Sequence, residues 1–167
     1  EGHWRDYRMM IIDELRDRYD RDDDWRRIVD LLEEQRELVD GPEPEADILC
    51  EQAELIVKGP EDNVERMPAL SKLARAYCLN PRDQDVWSQF EALADRLDCW
   101  ARTPKVLLHP LRDARDPEQQ ASVLIALGDA YRDKIGDKHS AVTAYQAAAD
   151  VAPGSEAIDR LESILSD

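Results

Sequence analysis

Apolar side chains in this chain recur every three or four residues almost from end to end, and the breaks between the runs come at intervals of one or two helix lengths. Trp4, Tyr7, Ile11, Ile12 and Leu15 follow this spacing, as do Ile28, Leu31, Leu32 and Leu38. Residues so spaced share one face of a helix, so the period predicts amphipathic helices. No run of alternating β-branched residues flanks a two-residue hairpin turn, so strands are not expected. The punctuation is Asp20 to Asp24, Gly41-Pro42-Glu43-Pro44, Gly59-Pro60, Asn80-Pro81, Asp116-Pro117 and Pro153-Gly154. Such residues stop helices, and some also start the next.

The segments between these breaks predict four antiparallel pairs and a closing helix. They are 4–19 with 25–39, 45–57 with 62–79, 83–97 with 100–115, and 118–133 with 138–151, ending on 155–166. In Asp116-Pro117-Glu118-Gln119, Asp116 can accept from free backbone N–H groups and Pro117 sits where its missing donor is harmless. Gln119 is placed to complete a capping box. Helix 100–115 contains Pro104 and Pro110. An internal proline removes a hydrogen bond and clashes with the preceding turn, so a kink or split is expected there.

Composition narrows the function. The 167 residues hold 38 Asp plus Glu against 22 Lys plus Arg, a formal net charge of −16. Non-specific nucleic-acid binding needs a positive footprint, and so does a polybasic membrane anchor, so neither is expected. A hydrophobic share of 43% separates the chain from disordered acidic tails. No apolar run reaches the roughly 18 residues of a membrane helix, and the first residues do not form a secretion signal. The sequence starts without Met and already in a helical pattern, which leaves a processed piece of a longer chain as one reading. Cys50, Cys78 and Cys99 are odd in number and lack CxxC spacing, so free thiols in a reducing, cytoplasmic compartment are expected. Arginine outnumbers lysine 17 to 5, in the manner of a GC-rich bacterial genome.

Two of the expected helices repeat one pattern. Ala69, Leu73, Ala76, Leu79 and Pro81 have the same intervals as Ala141, Tyr145, Ala148, Val151 and Pro153, at an offset of 72 residues. Small residues let a helix approach its neighbour closely, the large one fills the groove, and proline ends the helix. With Leu127, Gly128 and Tyr131 in the preceding helix, the last unit resembles the tetratricopeptide repeat, with one extra residue at its turn. Trp87 and Phe90 match the motif's opening positions in the third unit, where Glu91 replaces the usual small residue. The second unit keeps Ala53 and the Ala69-to-Pro81 half, and the first retains chiefly Trp4, Tyr7 and the helix around Trp25. Trp4-Tyr7 and Trp87-Phe90 also resemble the half-a-tetratricopeptide repeats of RNA-processing scaffolds. Either resemblance implies an all-α, right-handed α-α superhelix. Its approximate units are 1–41, 42–81, 82–116 and 117–153, with residues 154–167 as a capping helix.

Motifs for chemistry are absent. Asp20, Asp22 and Asp24 suggest a calcium loop, but Trp25 stands at the glycine position and Leu31 at the twelfth. A solvated acidic turn is the reading that remains. His3, His109 and His139 are too scattered for a zinc motif, and no HExxH, nucleophile elbow or phosphate-binding glycine loop occurs. No enzyme activity, metal or cofactor is therefore expected. Trp25 and Trp100 read as inter-helix packing residues.

The tetratricopeptide resemblance implies a concave groove lined by the first helix of each pair. Its positions fall on Asp47, Glu54 and Lys58, then Asp85, Ser88, Asp95 and Arg96, then Ser122, Asp129, Arg132 and Asp133. Six carboxylates against three cations predict an acidic groove, and a groove of one sign focuses potential toward an oppositely charged ligand. The expected partner is another protein or peptide with basic character. Relatives that clasp a chaperone's C-terminal carboxylate use Asn and Lys in this groove, whereas Asp129 would repel one. A non-enzymatic interaction scaffold is the expected function, with self-assembly through the ends or flanks of the solenoid as the alternative.

Overall fold

A computed structural model describes residues 2–59 and 62–166, with Gly2 as backbone only. Pro60 and Glu61, part of one expected break, lie outside the described residues, as do both terminal residues. The described residues are all-helical, without strands. Nine α-helices follow in order: α1 (Gly2–Arg21), α2 (Trp25–Arg36), α3 (Pro42–Lys58), α4 (Asn63–Leu79), α5 (Gln84–Arg96), α6 (Thr103–Leu111), α7 (Pro117–Asp129), α8 (Lys138–Val151) and α9 (Ala157–Ser166). A 3₁₀ turn (Trp100–Arg102) leads into α6, and a π turn (Ala130–Ile135) extends α7. None of the described helices is long and apolar enough to cross a membrane.

Local chemistry accounts for most boundaries. Asp24, Asp62, Asp83, Asp116 and Asp137 each stand before a helix and accept from its first free N–H groups. The acidic turn before α2 thus ends in a cap, with Asp23 at φ +53° completing the reversal. Gln119 corrects the expected capping box. Its Nε2 donates instead to the Leu79 carbonyl, 3.2 Å away at the end of α4. A helix's last carbonyls lack partners within the helix, and this side chain supplies one from α7.

Each proline of a helix acts according to its place in it. Pro42 and Pro44 do not keep the chain out of a helix, because both fall in the first turn of α3, where no donor is needed. Residues 100–115 are split, one of the two expected outcomes, into a 3₁₀ turn over Trp100–Arg102 and an α-helix from Thr103. Pro104 sits in the first turn of that helix and Pro110 in its last turn, so the prolines set its ends. Pro68 does stand inside α4. Its missing N–H leaves free the carbonyl of Val64, an exposed residue in the solvent-facing first turn. The π turn carries α7 on to Ile135, where Gly136 at φ +79° ends it in the left-handed region.

Packing follows side-chain size. The main core runs from α3 to the start of α9, with smaller clusters at each end: Ile28, Leu32 and Ile48 at one, and Ala141, Tyr145 and Ile164 at the other. The closest helix pairs are α3 with α4 and α7 with α8. They carry small residues at the contact: Ala53, Ala69 and Ala76 in the first, and Gly128, Ala141 and Ala148 in the second. At Gly128 a Cβ would lie 2.3 Å from the Tyr145 ring. The expected pair of α5 with α6 is corrected to a looser arrangement, both leaning on α4. Aromatic rings line the α5 side of this region: within α5 Trp87 stacks on Phe90 at 5.3 Å, and Trp100 of the 3₁₀ turn meets Phe90 edge-on at 6.4 Å. Both expected packing tryptophans do pack, Trp25 against Gly59 and Trp100 against Phe90.

Three of the first four helices are also joined by charge. Glu33 of α2 accepts from Arg36 (2.5 Å), from Lys72 of α4 (2.9 Å) and from fully buried Gln52 of α3 (3.1 Å). Arg36 and Arg75 converge on Glu45. The hydrogen bond from Arg36, then those from Lys72 and Gln52, hold the Glu33 carboxyl down at about 2 against the cost of partial burial.

Two outcomes are expected. Gly128→Ala destabilises the chain by about 1–3 kcal/mol in urea unfolding, and a second change, Tyr145→Leu, recovers most of the loss by clearing the ring. Glu33 is a depressed carboxylate, so its stabilisation is complete above about 4.5 and is lost as pH falls toward about 2. Glu33→Gln therefore flattens that acid limb in a plot of unfolding free energy against pH.

Candidate functional site

Helices α4, α5, α7 and α9 and the turn between α8 and α9 meet around a cleft of about 710 Å³. Trp87 of α5 and Ile125 of α7 line it together with Tyr77 at the end of α4, and Tyr77 lies on Trp87 with ring centres 4.9 Å apart. Ser155 and Glu156, from the turn between α8 and α9, close one side with Arg160 of α9. The turn is placed by Gly154 at φ +92°, a left-handed conformation that suits glycine. The proline-marked breaks at both ends of the cleft, Asn80-Pro81 and Pro153-Gly154, thus deliver side chains to it.

The charges around the cleft are largely paired. Arg82 lies 3.7 Å from Glu118 and Arg160 lies 3.3 Å from Asp129. Among the described residues the Glu156 side chain has no hydrogen-bond or ion-pair partner. Ser155 Oγ is buried and also lacks a partner. A buried hydroxyl without a partner is uncommon in folded proteins and is a group that a ligand or water would satisfy.

Asp129 is committed to the fold. It accepts from the Tyr145 hydroxyl at 2.6 Å and pairs with Arg132 at 3.2 Å as well as with Arg160. Arg132 in turn grips Asp133 through two bonds of 2.7 and 2.8 Å. That contact holds the Asp133 carboxyl below, and the Arg132 guanidinium above, its ordinary range. Burial, then the bond to Asp129, raises the Tyr145 hydroxyl. The network ties α7, the π turn, α8 and α9 together.

The expected groove residues are therefore brought together only in part. Ser122 and Asp129 line the large cleft. Glu54, Lys58 and Arg96 rim a separate, mostly apolar hollow of about 220 Å³ between α3, α4 and α5. Asp47, Asp85, Ser88, Asp95, Arg132 and Asp133 line neither of these two. Charge pairing also reduces the expected acidity. Glu54 meets Lys58 at 3.1 Å, and Asp95 accepts from Trp100 Nε1 at 2.6 Å and from Lys134. The indole bond, then Lys134, draws the Asp95 carboxyl below its usual range. Asp47 and Asp85 remain exposed, with side chains unpaired among the described residues.

Arg82, Glu118, Glu156 and Arg160 were not among the expected positions. They come from helix ends and from the terminal helix, which a pattern of first-helix positions does not sample. The cysteines contribute little reactivity. Burial pushes the Cys78 thiol up to about 12 and, with nearby carboxylates, Cys50 to about 11. No protein-family model, curated protein or solved structure matches the chain.

Asp129→Asn keeps an acceptor for Tyr145 but loses the charge that both arginines meet. Unfolding in urea should show a loss of about 1–3 kcal/mol, with α9 amides exchanging hydrogen faster than those of α3.

Proposed function

We infer that this chain is a non-enzymatic, tetratricopeptide-like scaffold that binds a segment of another protein in the cleft between α5, α7 and α9. The single observation that carries this reading is the cleft itself. It joins an aromatic and aliphatic lining to a mixed charged rim and a hydroxyl without a partner, which is the chemistry of a recognition surface rather than of a core. The right-handed superhelical arrangement belongs to the same proposal. Paired helices, small residues at the two closest contacts and the matched 69–81 and 141–153 patterns support it.

The bound segment offers an apolar side chain to Trp87 and Ile125 and a basic one to Glu156, the rim carboxylate left unpaired. A basic partner also suits the net charge of −16. Free thiols and the arginine bias support a bacterial cytoplasm as the setting. Self-assembly is the second reading, favoured by one observation. Trp4, Tyr7 and Met10 of α1 are 67%, 52% and 55% exposed at one end of the chain, an apolar patch of the kind that marks contact surfaces.

The test begins with affinity capture from the native host and mass spectrometry, followed by calorimetric titration of the partner found. Glu118→Lys with Glu156→Lys, or Ser122→Trp to fill the cleft, should weaken binding by roughly tenfold or more. Unchanged affinity in both variants would overturn the cleft. Light scattering behind size exclusion reads the second possibility: an oligomer dispersed by Trp4→Ala with Tyr7→Ala favours assembly.

A further inference from the structure

One face of α6 runs against the charge of the whole chain. Lys105, His109 and Arg112 follow one another at intervals of four and three, so they stand on the same side of the helix. All three are exposed, and among the described residues none has a hydrogen bond or ion pair from its side chain. Most other cations of the chain are taken: Arg5 by Asp40, Lys72 by Glu33, Arg132 by Asp133 and Lys134 by Asp95. Free positive charge collected on one helix of a chain carrying −16 is unlike the solvated mixed faces elsewhere.

The three side chains rim a hollow of about 500 Å³ between α6 and the π turn. Leu108, Tyr131 and Ile135 supply its apolar lining, and Leu108 is 39% exposed. No carboxylate is among the described residues that line it, and it shares no lining residue with the α5/α7/α9 cleft. The hollow therefore presents an apolar depression under a cationic edge, separate from the cleft of the proposed function.

We propose that this hollow is a second docking site, taking an acidic segment of another protein that inserts a leucine-sized side chain over Leu108 and Tyr131. Carboxylates beside that anchor meet Lys105 and Arg112, with the His109 imidazole between them. Charge complementarity selects this occupant, because the net negative charge of the chain repels anions in general and this unpaired cationic edge attracts them. A nucleic acid fits less well. Its phosphates continue well past the roughly 14 Å that nine helical residues span and meet a net negative protein beyond. It also offers no aliphatic side chain to the lining. The two sites then differ in sign, so one chain can hold a basic segment and an acidic one together.

The test uses the full ¹⁵N-labelled chain and a short synthetic peptide in which glutamates flank two leucines. Amide shifts are expected over 101–112 and at Tyr131 and Ile135. The same peptide with glutamine for glutamate should bind roughly tenfold more weakly, and Lys105→Glu with Arg112→Glu should produce a similar loss. Lys105→Gln with Arg112→Gln gives a milder version of the same change, for use if the reversal disturbs folding. Shifts confined to the α5/α7/α9 cleft, or equal affinity in both charge variants, would overturn the proposal. Tighter binding of an oligothymidylate to this face would replace it with a nucleic-acid site. Self-association that disappears in the charge variants would make the occupant a second copy of the chain.

Discussion

Helix α4 carries buried side chains around much of its circumference, from Ala69 and Leu70 through Ala74 to Tyr77 and Cys78, and α3, α5, α6 and α7 all pack on it. A helix apolar on so many sides has no stable place at a surface and must be enclosed. Its alanines decide how close each neighbour comes, and its large residues decide which groove it fills. Removing it would leave α5 and α6 with little contact, because the two helices scarcely touch and the Phe90 ring of α5 meets Trp100 in the 3₁₀ turn that precedes α6. The Gln119 bond to the Leu79 carbonyl ties α7 to the end of the same helix. The cleft then forms where α4 stops and Tyr77 meets Trp87.

Much of this was legible in the residues. Helix positions followed from the three-and-four spacing, and most first turns from the aspartates that cap them, because both are local effects of backbone geometry. The start of α3 was misplaced since Pro42 and Pro44 read as breakers, although proline is harmless in a first turn. The pairing of α5 with α6 failed on a different point. Spacing shows which face of a helix is apolar, and it does not show that both apolar faces would turn to α4 instead of to each other.

The site was less legible than the fold. A count of groove charges treats each carboxylate as free, yet Glu54, Asp95, Asp129 and Asp133 all have cationic partners. Asp129 meets Arg132 three residues along its own helix, which spacing could have suggested. Its contact with Arg160 joins residues 31 positions apart, and no local rule reaches that far. The same holds for Lys105, His109 and Arg112. Their common face is visible in the spacing, while their freedom from partners and the hollow beneath them depend on where the π turn lies.

By itself the sequence determined the helical class, most helix starts, and the two places where small residues demand close contact, because each of these is settled within a few turns of chain. Gly128 shows the boundary between the two kinds of information. Its place in a repeated pattern already pointed to a tight approach, but that the Tyr145 ring fills the space, and that its hydroxyl then binds Asp129, needed two helices laid side by side. Tertiary packing chose which charges cancel and which stay free, since an ion pair depends on distance in space and not along the chain. On that choice rest both the cleft's mixed rim and the cationic edge of α6.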